Sequence, residues 1–221
     1  MRIDILTLFP EQVMEWFSHS ILKRARAAKK LDLCAWNMRD WGFGRHNTVD
    51  DTPYGGGAGM LLKVDVVVPA LKAVAKKSRV KPRVILLTPQ GRRLTQELVE
   101  ELAQESRLLL VAGHYEGFDE RIRSYVDDEI SLGNFVLTGG EIAAVALTDA
   151  VARLVPGVLD ESSPTEESHS LQDEAGNRLL EYPHYTRPEE YDGRRVPDVL
   201  LSGHHAEIKK WRLAQAKPAQ E

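Results

Sequence analysis

Residues 131–141, SLGNFVLTGGE, combine apolar side chains with glycines, as a backbone that grips a small ligand would. Leu132, Phe135, Val136 and Leu137 offer apolar contact, while Gly133, Gly139 and Gly140 allow φ > 0 or close approach to a bound group. A buried main chain ending in paired glycines before a helix start presents N–H and C=O groups to such a ligand. A tight strand-to-helix turn with nothing bound fits the same residues, and this segment alone leaves both readings open. Residues 39–60, RDWGFGRHNTVDDTPYGGGAGM, carry His46, Asp50 and Asp51 in a stretch almost without aliphatic side chains. Its glycines suggest a phosphate-binding loop, but no Gly-Lys-Ser/Thr follows, since Gly59 precedes Met60, Leu61 and Leu62. The stretch reads as a flexible polar cover, with a merely irregular connection as the alternative.

These loops need elements to hold them. Residues 2–9 read as a strand stopped by Pro10, 11–30 as a helix with Val13, Trp16, Phe17, Ile21 and Leu22 at helical spacing, and 31–38 as a second strand. Helices follow over 64–77, over 95–106 with Thr95 as N-cap, and over 142–155. Residues 84–87 and 108–112 are wholly apolar strands. Strands apolar on both faces and alternating with helices indicate an α/β fold with a covered parallel sheet. Ligands of such sheets bind beyond the strand C-terminal ends. Residues 88–91, 113–121 and 133–141 fall there, and their convergence favours the ligand reading. Residues 160–178, rich in acids, serines and turn formers, read as a linker or disordered lid. Residues 182–188, YPHYTRP, are rigid and aromatic. A last helix over 203–215 has Ile208, Trp211 and Leu213 as apolar positions beside cationic Lys209, Lys210 and Arg212.

The chain has 221 residues, 43% hydrophobic and 28% charged, enough for one generous domain or a domain with an appendage. A net charge of -4 excludes a uniformly basic nucleic-acid binder, so polynucleotide contact must use local patches. The single cysteine, Cys34, excludes an internal disulfide and a cysteine-based zinc site and fits a reducing compartment. No apolar run reaches the roughly 18 residues of a membrane span, and the start lacks a signal peptide's layout.

Six segments in order, VDDTPYGGGAGM (49–60), GHYEGFDER (113–121), SLGNFVLTGGE (131–141), PGVL (156–159), YPHYTRP (182–188) and LLSGHHAEIKKWR (200–212), resemble the bacterial tRNA (guanine-N1)-methyltransferases over nearly the whole chain. The resemblance implies a knotted α/β domain of the SPOUT type over residues 1–159, an interdomain linker or lid over 160–180, and a small helical tRNA-binding domain over 181–221. It implies a cytoplasmic homodimer with a shared active site, S-adenosylmethionine as methyl donor, and the guanine 3′ of the tRNA anticodon as acceptor. The family is described as Mg²⁺-dependent, yet no metal-ligand spacing is legible.

Carried over position by position, the donor would lie against Leu87, Thr88 and Pro89, against Gly113, Tyr115 and Glu116, and against Leu132, Gly133, Asn134, Phe135, Val136, Leu137, Gly139 and Gly140. The acceptor nitrogen carries a proton, so a general base is needed, with a donor for the charge that develops on the base carbonyl. The family's arginine matches Arg153. Its lid aspartate falls on Glu167, with Ser168 beside it; this departure moves the carboxylate out by about 1.5 Å. Glu166 or Asp173 could serve instead, and solvated linker acids are the plain alternative. Glu116 could bind the Watson–Crick edge of a flipped guanine, or else pair with Arg121. Asp50 could position guanine or a cation. Arg187, Lys209, Lys210 and Arg212 could grip phosphates. His46 and His114 read as loop residues. Two further departures are an insertion over 171–177 and a chain that stops soon after Trp211. Three rivals remain: a knotted methyltransferase of another RNA nucleoside, a non-catalytic tRNA-binding homologue, and a nucleotide-phosphate enzyme built on the GGGAG loop.

Overall fold

Strands β1 (Arg2–Thr7), β2 (Asp32–Asn37), β5 (Arg83–Arg93), β6 (Arg107–Ala112) and β7 (Asp128–Ser131) form one sheet in the order β2-β1-β6-β5-β7. Every pairing in it is parallel. The short pair β3 (Asp50–Asp51) and β4 (Leu61–Leu62) lies outside that sheet. Helices α1 (Pro10–Trp16), α2 (Ser20–Ala27), α3 (Val64–Ala75), α4 (Gln96–Ala103) and α5 (Glu141–Ala152) fill the connections. The computed structural model describes residues 1–160, 167–173 and 175–219. The chain divides into two units, Met1–Leu159 and Asp160–Glu221.

The wholly apolar strands serve two cores. Leu108 and Leu110 of β6 join Ile3, Ile5 and Ile85 against α1, α2, α4 and α5. Leu109 and Val111 point the other way, with Leu6 and Leu86, against α3. Successive side chains leave opposite faces of a strand, so a strand buried on both sides must be apolar throughout.

Several sequence boundaries are corrected. The helix expected over 11–30 is two helices: Ser20 has φ 47°, and the break lets Phe17, Leu22 and Ala25 all reach the core. The strand expected to end at Leu87 runs on to Arg93, with a register shift against β7 between Leu87 and Arg92. Gly91 permits this, because a Cβ there would stand 2.4 Å from the backbone N of Ile130. β7 was not foreseen, being hidden in a run of acids. Asp128 is met from afar by Arg83 and Arg92, and Glu129 by the nearby Arg123.

At the far end of β1 lies a buried ionic cluster. The Asp4 carboxylate accepts from Arg2, from Trp36 Nε1 at 2.8 Å and from Arg107 Nε at 2.9 Å. Arg107 also donates to the carbonyls of Val74, Ala75 and Val80 at 2.7 to 2.8 Å. Its guanidinium thus satisfies exposed acceptors at the C-terminal end of α3.

β8 (Leu179–Leu180) pairs antiparallel with β11 (Lys217–Pro218). β9 (Glu190–Tyr191) and β10 (Arg194–Arg195) form a hairpin whose turn residues Asp192 and Gly193 both have positive φ, the preferred geometry for so tight a connection. Helices α6 (Asp198–Leu201) and α7 (His205–Gln215) bury no residue, and Leu213 stays 45% exposed, so the apolar positions expected of α7 are not core. The described part of the expected disordered lid is a bonded turn: Leu179 N donates to Leu171 O at 2.8 Å and Asp173 N to Asn177 O at 3.0 Å. Of the insertion read over 171–177, Leu171, Asp173 and Asn177 carry the bonds of that turn.

Candidate active site

A cleft of about 390 Å³ opens beside residues 86–90 in the middle of β5 and past the ends of β6 and β7. Leu87, Thr88 and Pro89 line it, with Gly113, Tyr115 and Glu116, and with Leu132, Phe135, Val136, Leu137, Gly139 and Gly140. Gly133 and Asn134 do not. Sequence reasoning missed Gln90, His114, Phe118, Glu120, Arg123 and Thr138, which also form its walls. Gln90 and Thr138 adjoin residues already singled out, so loop membership alone could have found them. Glu120 falls within the loop 113–121 already read as ligand-facing, whereas Arg123 comes from the 3-10 turn Glu120–Tyr125 beyond it, which no local pattern marks.

The glycines act by lack of bulk. Gly133, Gly139 and Gly140 do not take positive φ, contrary to one of the two roles read from the sequence. Gly140 N donates to Gly113 O at 2.7 Å, and a Cβ on Gly140 would stand 2.8 Å from Ala112 Cα and 2.9 Å from Gly113 N. These neighbours are backbone and cannot swing aside. Gly140→Ala is therefore expected to force the loops after β6 and β7 apart and to destabilise by about 1–3 kcal/mol. Thermal unfolding checks this, at about 2–4 °C in Tm per kcal/mol.

The loop over 39–60 is pinned at its end. Asp50 and Asp51 pair with Leu62 and Leu61, Glu116 N donates to Met60 O at 3.0 Å, and Leu62 N donates to Gly117 O at 2.9 Å. The free cover expected from composition is thus tied to the cleft wall. Asp50 is half-buried in that ladder, while His46 is exposed. A Cβ on Gly59 would meet the Glu116 side chain at 2.3 Å, so glycine there leaves room for that carboxylate. Glu116 has no ion-pair partner among the described residues. Arg121 pairs instead with Asp119 at 2.7 Å, and its hydrogen bond holds the Asp119 carboxyl below the usual range.

The family model for tRNA (Guanine-1)-methyltransferase TrmD matches residues 1–220. This chain belongs to that family. A tRNA (guanine-N(1)-)-methyltransferase of Chloroflexus aurantiacus is 55% identical over 97% of this chain and 83% of its own length. One from Bacillus cereus is 51% identical over 96% of this chain and 85% of its own. The crystal structure of tRNA (m1G37) methyltransferase from Aquifex aeolicus superimposes with a TM-score of 0.79 at 40% identity, covering 97% of this chain and 88% of that one.

The remaining residues matched to the methyltransferase pattern lie elsewhere. Arg153 follows α5 as its C-cap, where a cation suits the helix end. Glu167 sits in the second unit, where its carbonyl accepts from Ser170 N at 3.0 Å and Leu171 N at 2.9 Å. Ser168 Oγ accepts from Glu181 N at 3.1 Å. Glu166 lies outside the described residues. Asp173 accepts from the Asn177 side chain at 2.8 Å and from the backbone N–H groups of Ala175 and Asn177. Those bonds, the Asn177 side chain first, hold its carboxyl below the usual range and make it a weak base. Arg187, Lys209 and Lys210 are exposed, and Arg212 stacks 4.8 Å over Tyr182. Among the described residues no group of three or more His, Cys, Asp or Glu could hold a metal, and no helix is long and apolar enough to cross a membrane.

Proposed function

We propose that this methyltransferase moves a methyl group from S-adenosylmethionine to N1 of the guanine next to the anticodon of tRNA, the position in the name of its Aquifex relative. The observation that carries the reading is the cleft beside the middle of β5 and the ends of β6 and β7, walled by segments that match the family. Its size lies in the range of small-ligand pockets, about 300–1,000 Å³. Apolar Leu87, Leu132 and Phe135 suit a flat nucleoside, and the bare main chain at Gly113, Gly139 and Gly140 suits hydrogen bonds to its edge. A bound donor supplies an already activated methyl group.

The chain's own work is then to orient and to move a proton. Glu116, unpaired at the wall, accepts from the N–H groups of a flipped guanine. Glu167 takes the N1 proton and Arg153 stabilises the charge that develops on the base carbonyl. Asp50, from the pinned loop, and Ser168, beside the base, help to place the guanine. Arg187, Lys209, Lys210 and Arg212 hold phosphates. Replacing Lys209 and Lys210 together with alanine should flatten the dependence of log affinity on log salt by about one per lysine, read from tRNA binding across a salt series.

The same reading includes a SPOUT knot, supported by the lacing of the loop after β7 onto the loop after β6 through Gly140 and Gly113. It includes a homodimer that completes the site, supported by apolar side chains left open in the cleft wall: Val136 is 81% exposed and Phe135 54%. A cytoplasmic location follows from the substrate. The deciding experiment is nucleoside analysis of tRNA after incubation with the protein and S-adenosylmethionine. It should yield 1-methylguanosine; methylation of another nucleoside, or none, would overturn the proposal.

A further inference from the structure

We propose that Glu141 is a positioning residue that sets the spacing of the donor-binding loops by acting through His114. This rests on the reading of the cleft as the methyl donor's site and assigns a role to two residues at its edge. Glu141 opens α5 and is 7% exposed. Its Oε1 accepts from Thr7 Oγ1 at 2.8 Å, and the same hydroxyl oxygen accepts from Phe9 N at 3.0 Å. The carboxylate is thereby tied to the end of β1. Its Oε2 lies 3.7 Å from His114 Nδ1. That nitrogen is buried and has no hydrogen-bond partner. The rings of Phe9 and Tyr115 close on the imidazole edge-on, with centroids 5.2 Å and 5.4 Å away. Among the described residues no other charged group lies within ion-pair distance of His114.

Gly139 joins these facts. A Cβ there would stand 2.3 Å from Glu141 Oε2 and 2.5 Å from His114 Nδ1, so the glycine keeps clear the path between them. His114 and Gly139 also form a bridge between the two loops. The gap is too long for a hydrogen bond, yet short enough for attraction between a carboxylate and an N–H. Closing it by a few tenths of an ångström draws the loop carrying Tyr115 and Glu116 toward Gly139 and Gly140. A ligand filling the cleft favours that closed spacing, so the Glu141–His114 contact contributes to donor affinity without touching the donor through Glu141.

The test is calorimetric binding of S-adenosylhomocysteine to the wild type, Glu141→Gln, His114→Asn and the double variant. Glu141→Gln keeps the shape and the bond from Thr7 but removes the charge. Each single variant should bind about tenfold more weakly, the scale of one charge-assisted hydrogen bond. The double variant should be no weaker than either, because the contact is lost only once. In Glu141→Gln, whose side chain does not line the cleft, the KM for S-adenosylmethionine should rise in turnover with kcat unchanged. Wild-type affinity in Glu141→Gln, or losses that add in the double variant, would overturn the proposal. Should Glu141→Gln not fold, Glu141→Asp, which keeps the charge but draws it back from His114, carries the KM-against-kcat test, and an unchanged KM overturns the proposal. A wild type that does not bind the probe instead removes the donor reading beneath it.

Discussion

Asp4→Ala will destabilise the protein by about 3–5 kcal/mol, a large share of what holds a domain of this size together. The side chains of Asp4 and Arg107 are both fully buried, with 2.8 Å between Arg107 Nη2 and Asp4 Oδ2. Removing the carboxylate leaves the Arg107 guanidinium buried without its counter-charge, though still bonded to the carbonyls of Val74, Ala75 and Val80. Trp36 Nε1 loses its acceptor as well. Urea titration followed by far-ultraviolet circular dichroism reads the loss, and a fall below 1 kcal/mol would show that water reaches the cluster. The same residue sets an acid limit. Burial pushes the Asp4 carboxyl up, but hydrogen bonds from Arg2, Trp36 and Arg107 outweigh it, so in the folded protein it titrates below the ordinary 3.8. A carboxyl with a lower pKa folded than unfolded contributes its full stabilisation above the unfolded value. That contribution is lost as pH falls through the folded value. Wild type should therefore lose stability below about pH 4 more steeply than Asp4→Ala.

Glu167→Gln will lower methyl transfer to tRNA by about 10²- to 10⁴-fold, the usual range for losing a general base. Glutamine keeps the length and hydrogen bonds but cannot take the N1 proton. Asp173 is a poor substitute, because Asn177 and the backbone of its own turn fill its acceptor positions. The comparison with Asp173→Asn is therefore decisive: that variant should keep its rate within about threefold, since a rate loss below about 0.7 kcal/mol is that small. Single-turnover transfer from labelled S-adenosylmethionine separates the cases. A full rate in Glu167→Gln would move the base to Glu166 or outside the lid. Binding of tRNA should be unchanged in both variants, which distinguishes a lost proton acceptor from a lost docking contact.

The parts legible in the sequence are those whose cause is local. Wholly apolar 84–87 and 108–112 announced a buried parallel sheet, Thr95 announced a helix start, and the Gly-rich stretches announced where a ligand could lie. Thr95 indeed caps α4, accepting from Leu98 N. β7 was not legible, because acids read as surface become strand residues once Arg83 and Arg92 arrive from distant positions, with Arg123 nearby on Glu129. Arg121 pairs not with Glu116 but with Asp119, two residues away, a local contact that the sequence reading passed over.

By itself the sequence determined the fold class, the family and the loops that build the cleft, because apolar periodicity and motif order survive without coordinates. Tertiary structure alone decided that Asp4 is buried, that Gly139 makes room for the pair Glu141 and His114, and that the loop over 39–60 is pinned rather than free. Each of these depends on which distant groups meet, and the energy of a charge or a polar atom is set by that company rather than by its neighbours along the chain.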